Sequence, residues 1–188
     1  MLGCGVVYKL SRVAGGWKET VLHTFVGGTA DGGFPVAGLV SDASGILYGA
    51  TANGGSYIVC AGASGCGVVF DLTPSSNGTW TESILHRFNG RDGAGPYATP
   101  ALDASGNIYG TAGSGGNGFG TAYELSPSSS GWVFNTIFNF NGFAGGWASA
   151  YSFVRDDAGN LYGASAAGGT SNNSDCVDAC GLVFKLTP

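Results

Sequence analysis

One pattern of ten residues occurs three times, and it constrains the fold more than any other feature of the chain. It reads Asp42-Ala-Ser-Gly-Ile-Leu-Tyr-Gly-Ala-Thr, Asp103-Ala-Ser-Gly-Asn-Ile-Tyr-Gly-Thr-Ala and Asp156-Asp-Ala-Gly-Asn-Leu-Tyr-Gly-Ala-Ser. An Asp in first place can accept hydrogen bonds from the backbone of its own turn. The Gly three residues later supplies the positive φ of a tight hairpin. Each copy then alternates into a strand carrying Tyr48, Tyr109 or Tyr162. Repetition of one hairpin predicts a repeat architecture.

The repeat extends beyond the hairpin. A glycine followed by two small or branched residues and an aromatic one occurs at Gly5, Gly67, Gly120 and Gly181, spaced by 62, 53 and 61 residues. In the clearest copy four strand-like segments follow in order: A over 96–103, B over 107–112, C over 120–126 and D over 132–140. A turn at 127–131 separates C from D. Four short antiparallel strands at a period above about 40 residues are the mark of β-propeller blades. A β-sandwich is the alternative, and the matching motif order across copies speaks against it. The expected fold is therefore all-β, with 1–188 as a single repeat domain. Its parts are strands C–D over 4–25, full blades over 35–88 and 96–140, and strands A–B–C over 149–186. Known propellers close with about four to eight blades. About three per chain predicts a partial ring, either a fragment of a longer chain or a ring completed by homo-oligomerisation.

Composition agrees with strands and excludes several partners. Glycine supplies 36 residues, and 44% of the chain is hydrophobic against 10% charged, which suits short strands and tight turns. A net charge of −5 with seven Lys and Arg argues against nucleic acid. No apolar run approaches the ~20 residues of a membrane-spanning helix. The opening, Met1-Leu2-Gly3-Cys4-Gly5, has neither the basic start nor the apolar stretch of a secretory leader. Of the five cysteines, Cys60 lies six residues before Cys66 and Cys176 four before Cys180. The economical expectation is two local disulfides and an oxidising compartment, with Cys4 left over. Zinc held by four thiolates from two loops is the rival.

The string Gly67-Val-Val-Phe-Asp-Leu-Thr-Pro74, Trp80-Thr-Glu82, Leu85-His-Arg-Phe88, Asp92-Gly93 and 103–110 resembles the Gloeobacter/Verrucomicrobia-type tandem repeat. The resemblance covers nearly the whole chain. It implies an exported protein, often with a C-terminal surface anchor, and a propeller-like architecture; it implies no catalytic residues. The third copy departs from it, with Phe143-Ala-Gly-Gly-Trp147 where Asp-Gly and Pro are expected.

Candidate chemistry is sparse. His23 and His86 share one place in strand D, and Asn139 reads as taking it in the third copy, a repeated polar position expected on a solvent-facing edge. No nucleophile elbow accompanies them, so no catalytic residue is assigned. Asp42, Asp103 and Asp156 read as turn caps rather than paired catalytic carboxylates. Trp17, Trp80 and Trp132 read as wedges between blades. Asp31 and Asp92 lie in D–A loops, and Phe143, Trp147 and Tyr151 lie where the repeat breaks; all these, with Tyr57, fall on the face carrying the D–A and B–C loops. Aromatic rings among polar, glycine-rich loops suit sugar stacking, although packing also accounts for them. No loop has calcium-binding spacing, so neither metal nor cofactor is expected. The reading is an extracellular or cell-surface binding or scaffold module with polysaccharide as the ligand class. A secreted hydrolase or lyase acting on polysaccharide, and a purely structural repeat, are the alternatives.

Overall fold

The computed structural model describes residues 3–56, 60, 64–142, 152–169 and 180–188. Among the described residues the chain is all-β, with no helix. In chain order the strands are β1 (Val6–Val13), β2 (Gly16–Thr24), β3 (Gly32–Gly33), β4 (Val40–Ser41), β5 (Leu47–Thr51), β6 (Asn53–Gly54), β7 (Val68–Pro74) and β8 (Trp80–Arg87). There follow β9 (Ala101–Leu102), β10 (Ile108–Ala112), β11 (Thr121–Ser128), β12 (Gly131–Asn139), β13 (Val154–Arg155), β14 (Leu161–Ser165) and β15 (Leu182–Leu186). They form four successive sheets, β1-β2, β4-β5-β7-β8, β9-β10-β11-β12 and β13-β14-β15, and one short loop ladder, β3-β6. Among the described residues every strand pair is antiparallel and no sheet closes on itself.

The repeated hairpin is stabilised as its sequence predicts. Oδ1 of Asp42 accepts the Ser44 and Ile46 amides, and Oδ1 of Asp103 accepts those of Ser105 and Asn107. Asp156 accepts the Asn160 amide in the same way. The tyrosine closes the motif, because Tyr48, Tyr109 and Tyr162 donate their hydroxyls back to Asp42, Asp103 and Asp156 at 3.2, 3.3 and 2.9 Å. The glycine after that tyrosine has a different cause. Gly49, Gly110 and Gly163 do not have positive φ; the aromatic ring of the neighbouring strand lies across each. A Cβ on Gly49 would stand 2.7 Å from Phe70, one on Gly163 2.6 Å from Phe184, and one on Gly110 would strike the Tyr123 hydroxyl.

Some expectations are corrected. Segment A is extended in sequence, yet only Ala101–Leu102 pairs, since the residues before it serve the loop. The C–D turn is tighter than expected, with the ladder running through Pro127 opposite Trp132 to Ser128 opposite Gly131. Pro127 is tolerated because β10 reaches only Leu125, so no partner on that side needs its N–H. The same holds for Pro74, opposite Trp80 and beyond the Leu47–Leu72 pair.

A bulge recurs in strand D of three sheets, where the register shifts opposite Val7/Tyr8, Val69/Phe70 and Ala122/Tyr123. The extra residues are Leu22, Leu85 and Ile137, and they leave His23, His86 and Phe138 opposite Val7, Val69 and Ala122. Phe138, not Asn139, therefore stands in the histidine's place, with Asn139 equivalent to Arg87. The alignment by residue type failed because Asn is polar and Phe is not, while the ladder counts positions. The solvent-facing expectation fails too, since the side chains of His23 and His86 are only 21% and 17% exposed. The bulge is the reason. Trp80 and Ile84 pack toward the first sheet, whereas Leu85 and His86 both pack toward the third, so the inserted residue reverses the side-chain phase.

Apolar seams join consecutive sheets. The first holds Val7 and Phe25 against Val68, Phe70 and Leu72; the second holds Tyr48, Val69 and Phe88 against Ile108, Tyr123 and Leu125. The third packs Ala122 and Phe140 against Phe153, Leu161 and Phe184. Trp80 and Trp132 wedge into the first two seams, while Trp17 is 62% exposed beneath the Arg12 guanidinium. The loops are stitched as well. Gly32–Gly33 pairs with Asn53–Gly54, and Ala94 with Ser114, so the first two D–A loops each bind the next sheet's B–C loop. Burying 1 Å² of apolar surface stabilises by about 25 cal/mol, so these fully covered aromatic seams carry much of the fold.

Candidate functional site

The stitched loops bring a carboxylate up against each inward-turned histidine. Asp31 and Asp92 hold these loops. Oδ2 of Asp31 accepts the Val26 amide and its Oδ1 accepts the Gly32 amide, both at 2.6 Å. Oδ1 of Asp92 accepts the equivalent Asn89 amide at 2.9 Å. Each carboxylate also faces the histidine that the bulge turns inward. His86 Nε2 lies 3.1 Å from Asp92 Oδ2, within hydrogen-bond distance. His23 Nε2 lies 3.6 Å from Asp31 Oδ1 and 3.7 Å from Glu82 Oε2, and has no hydrogen-bond partner although it is buried.

The two seams differ at the position that faces the histidine. Phe134, two residues after Trp132, stacks on the His86 ring with centroids 3.7 Å apart and planes 10° from parallel. Glu82, two residues after Trp80, takes that place opposite His23. It carries a carboxylate into a half-closed seam already occupied by Asp31. Burial, and next the Asp31 charge and hydrogen bond, push the Glu82 carboxyl up to about 8. Arg87 opposes this from nearby, but its guanidinium donates to the Thr29 and Ala30 carbonyls rather than to Glu82.

A second feature lies on the same loop face. Phe34 has φ of 59° in the left-handed region, the one such non-glycine residue among those described, and it is 55% exposed. Its counterpart in the next repeat is Gly95, at φ 62°. Both residues make the same bonds, with the Phe34 and Gly95 amides donating to the Cys4 and Cys66 carbonyls. Phe34 borders a groove of about 620 Å³ lined by Val26, Pro35, Asn53 and loop glycines. The neighbouring groove, of about 330 Å³, is bordered by Tyr97, which lies on Gly95 and Gly113 and is 43% exposed.

Of the residues singled out from sequence, Asp31 and Asp92 stand in these loops, each bonded to its own loop's backbone, and neither lines either groove. Tyr57, Phe143, Trp147 and Tyr151 lie outside the described residues. Cys60 and Cys66 form the expected disulfide within the second sheet's B–C loop. Cys180 is disulfide-bonded too, Cys176 lies outside the described residues, and Cys4 carries a free thiol. Sequence reasoning missed Phe34, Tyr97 and Glu82. The signal for Phe34 was present, since it aligns with a glycine inside an otherwise matching loop. Glu82 was masked by Glu19, which matches it in the first repeat and is exposed there.

A family model for the Gloeobacter/Verrucomicrobia repeat matches residues 56–188, well over half of the chain. The chain belongs to that family. Residues before 56 continue the Gloeobacter/Verrucomicrobia repeat in structure, because β1, β2, β4 and β5 reproduce its hairpin, bulge and glycine positions. No curated protein matches the chain.

Proposed function

We propose that this repeat protein is a glycan-binding scaffold module working outside the cell or at the bacterial surface, its sheets arranged as propeller-type blades that present one loop face. Four successive antiparallel sheets with stitched loops support the blade reading. The disulfide and the absence, among the described residues, of a helix long and apolar enough to cross a membrane are compatible with an extracellular setting. Phe34 carries the binding reading. A non-glycine residue in the left-handed region is strained by roughly 1–2 kcal/mol, and the equivalent position shows that glycine satisfies the same loop. A large ring kept there and left open to solvent is explained by an external partner rather than by packing. An exposed apolar ring above a groove edged by Asn53 and glycine backbone suits the face of a pyranose, with hydrogen bonds at its rim.

The decisive variant is Phe34→Gly. It removes the strain, so the protein is expected to be as stable as the parent or more so, and to lose binding on a polysaccharide array by at least tenfold. Tyr97→Ala is expected to weaken the same ligands less. An array on which the parent binds nothing, or on which Phe34→Gly binds as well as the parent, would remove this reading.

A further inference from the structure

We propose that His23, Asp31 and Glu82 form a binding site for a divalent transition-metal ion, with zinc as the best fit, clamping the first sheet to the second. The three residues come from three separate elements: strand β2, the loop after it, and strand β8 of the next sheet. One ligand atom from each lies within 4.8 Å of the other two. Nε2 of His23 sits 3.6 and 3.7 Å from the two carboxylate oxygens. Ligands held about 2.0–2.1 Å from a tetrahedral zinc stand about 3.4 Å apart, so the two histidine–carboxylate edges already match an ion to within a few tenths of an ångström, and the carboxylate–carboxylate edge, within 4.8 Å, closes as the side chains turn onto it.

Two further observations separate this cluster from an ordinary ion pair. His23 Nε2 and Glu82 Oε1 are both buried and both without a hydrogen-bond partner, a costly condition for groups so placed. The second seam serves as an internal control. There the histidine is bonded directly to its aspartate at 3.1 Å, and the third ligand is replaced by the Phe134 ring. The first seam instead holds its histidine away from both carboxyl groups and adds a second acidic side chain. Asp31 is oriented by the Val26 and Gly32 amides, the kind of outer bonding that fixes a ligating carboxylate. One imidazole and two carboxylates satisfy zinc's preferences and leave a fourth place for water. The competing occupant is a proton shared between Glu82 and Asp31. It would satisfy the carboxylates but leave His23 Nε2 with nothing.

The test uses the whole chain, freed of metal with a chelator and carrying Cys4→Ser so that this free thiol contributes nothing. Zinc chloride is titrated by calorimetry, and cobalt(II) by its visible absorption. One equivalent is expected to bind, with a rise in thermal midpoint. Glu82→Gln and His23→Gln are expected to lower the affinity at least 100-fold, and His86→Gln to leave it unchanged. Should Glu82→Gln fold poorly, Glu82→Phe copies the second seam and is expected to fold without binding metal. Phe134→Glu is expected to create a second equivalent at His86 and Asp92. Failure to bind zinc or cobalt stoichiometrically, or binding that survives both Glu82→Gln and His23→Gln, overturns the proposal. Because the glycan variants leave these residues intact, either reading can fail without the other.

Discussion

Replacing Gly49 by alanine tests the account of the tyrosine–glycine motif. Gly49 has an ordinary backbone conformation, so alanine brings no φ strain and gains about 0.4–1 kcal/mol by restricting the unfolded chain. Against this, the new Cβ would stand 2.6 Å from Leu39 Cδ2 and 2.7 Å from Phe70 Cζ. Leu39 is partly exposed and can swing away; Phe70 is fully buried between two sheets and cannot. Overpacking costs about 1–3 kcal/mol, and an obstacle that cannot move puts this site near about 2, which leaves a net loss of about 1–1.6 kcal/mol. With a urea slope of about 1–3 kcal/mol per molar, the midpoint should fall by roughly 0.5–1 M. Leu at position 70 removes the obstructing ring edge, so Gly49→Ala should cost at least about 1 kcal/mol less in a Phe70→Leu background than in the parent. Equal costs in the two backgrounds, or an unshifted midpoint, would refute the claim that the ring dictates the glycine.

Other consequences follow from the same geometry. Tyr123 is fully buried and its hydroxyl has no hydrogen-bond partner, so Tyr123→Phe should raise stability by about 1 kcal/mol in the same denaturation assay. The Cys60–Cys66 bridge closes a short loop, and the double variant Cys60→Ala/Cys66→Ala should lose about 2 kcal/mol while keeping its strand signature in circular dichroism. Burial first, and then the Asp42 carboxylate, raise the Tyr48 phenol to about 12, and burial with Glu124 does the same for Tyr109. Both pKa values lie above the unfolded value near 10. The stability linked to these protons is therefore complete below pH 10 and lost as pH rises toward 12. Phenolate absorbance of the native protein should lag that of free tyrosine, and Asp42→Asn should move Tyr48 part of the way back.

Local chemistry was legible in the sequence where one residue does its work within a few neighbours. The Asp42, Asp103 and Asp156 turns were readable because the carboxylate, the amides it accepts and the tyrosine that closes the loop fall within six residues. The antiparallel sheets followed from those hairpins, and the Cys60–Cys66 pair from proximity. What lay between repeats was not readable. The Leu22, Leu85 and Ile137 bulges leave no compositional trace, yet they decide which face receives His23 and His86. The misplacement of Asn139 has the same origin. Glu82 looked like Glu19, and only the presence of a sheet in front of one of them makes the difference. Phe34 was hidden for another reason, since an aromatic residue in a glycine-rich loop reads as cover until its backbone angle is known.

The stitching of the first two outgoing loops to the sheets that follow them fixes where this architecture can be cut and copied. A duplication that begins and ends between strands A and D would copy a histidine without the residue that faces it. One that runs from one bulge to the next would copy the pair intact. The joint between two sheets, rather than one sheet, is thus the unit that has to be copied whole, and shuffled versions of such a chain should keep their chemistry only when spliced in that phase.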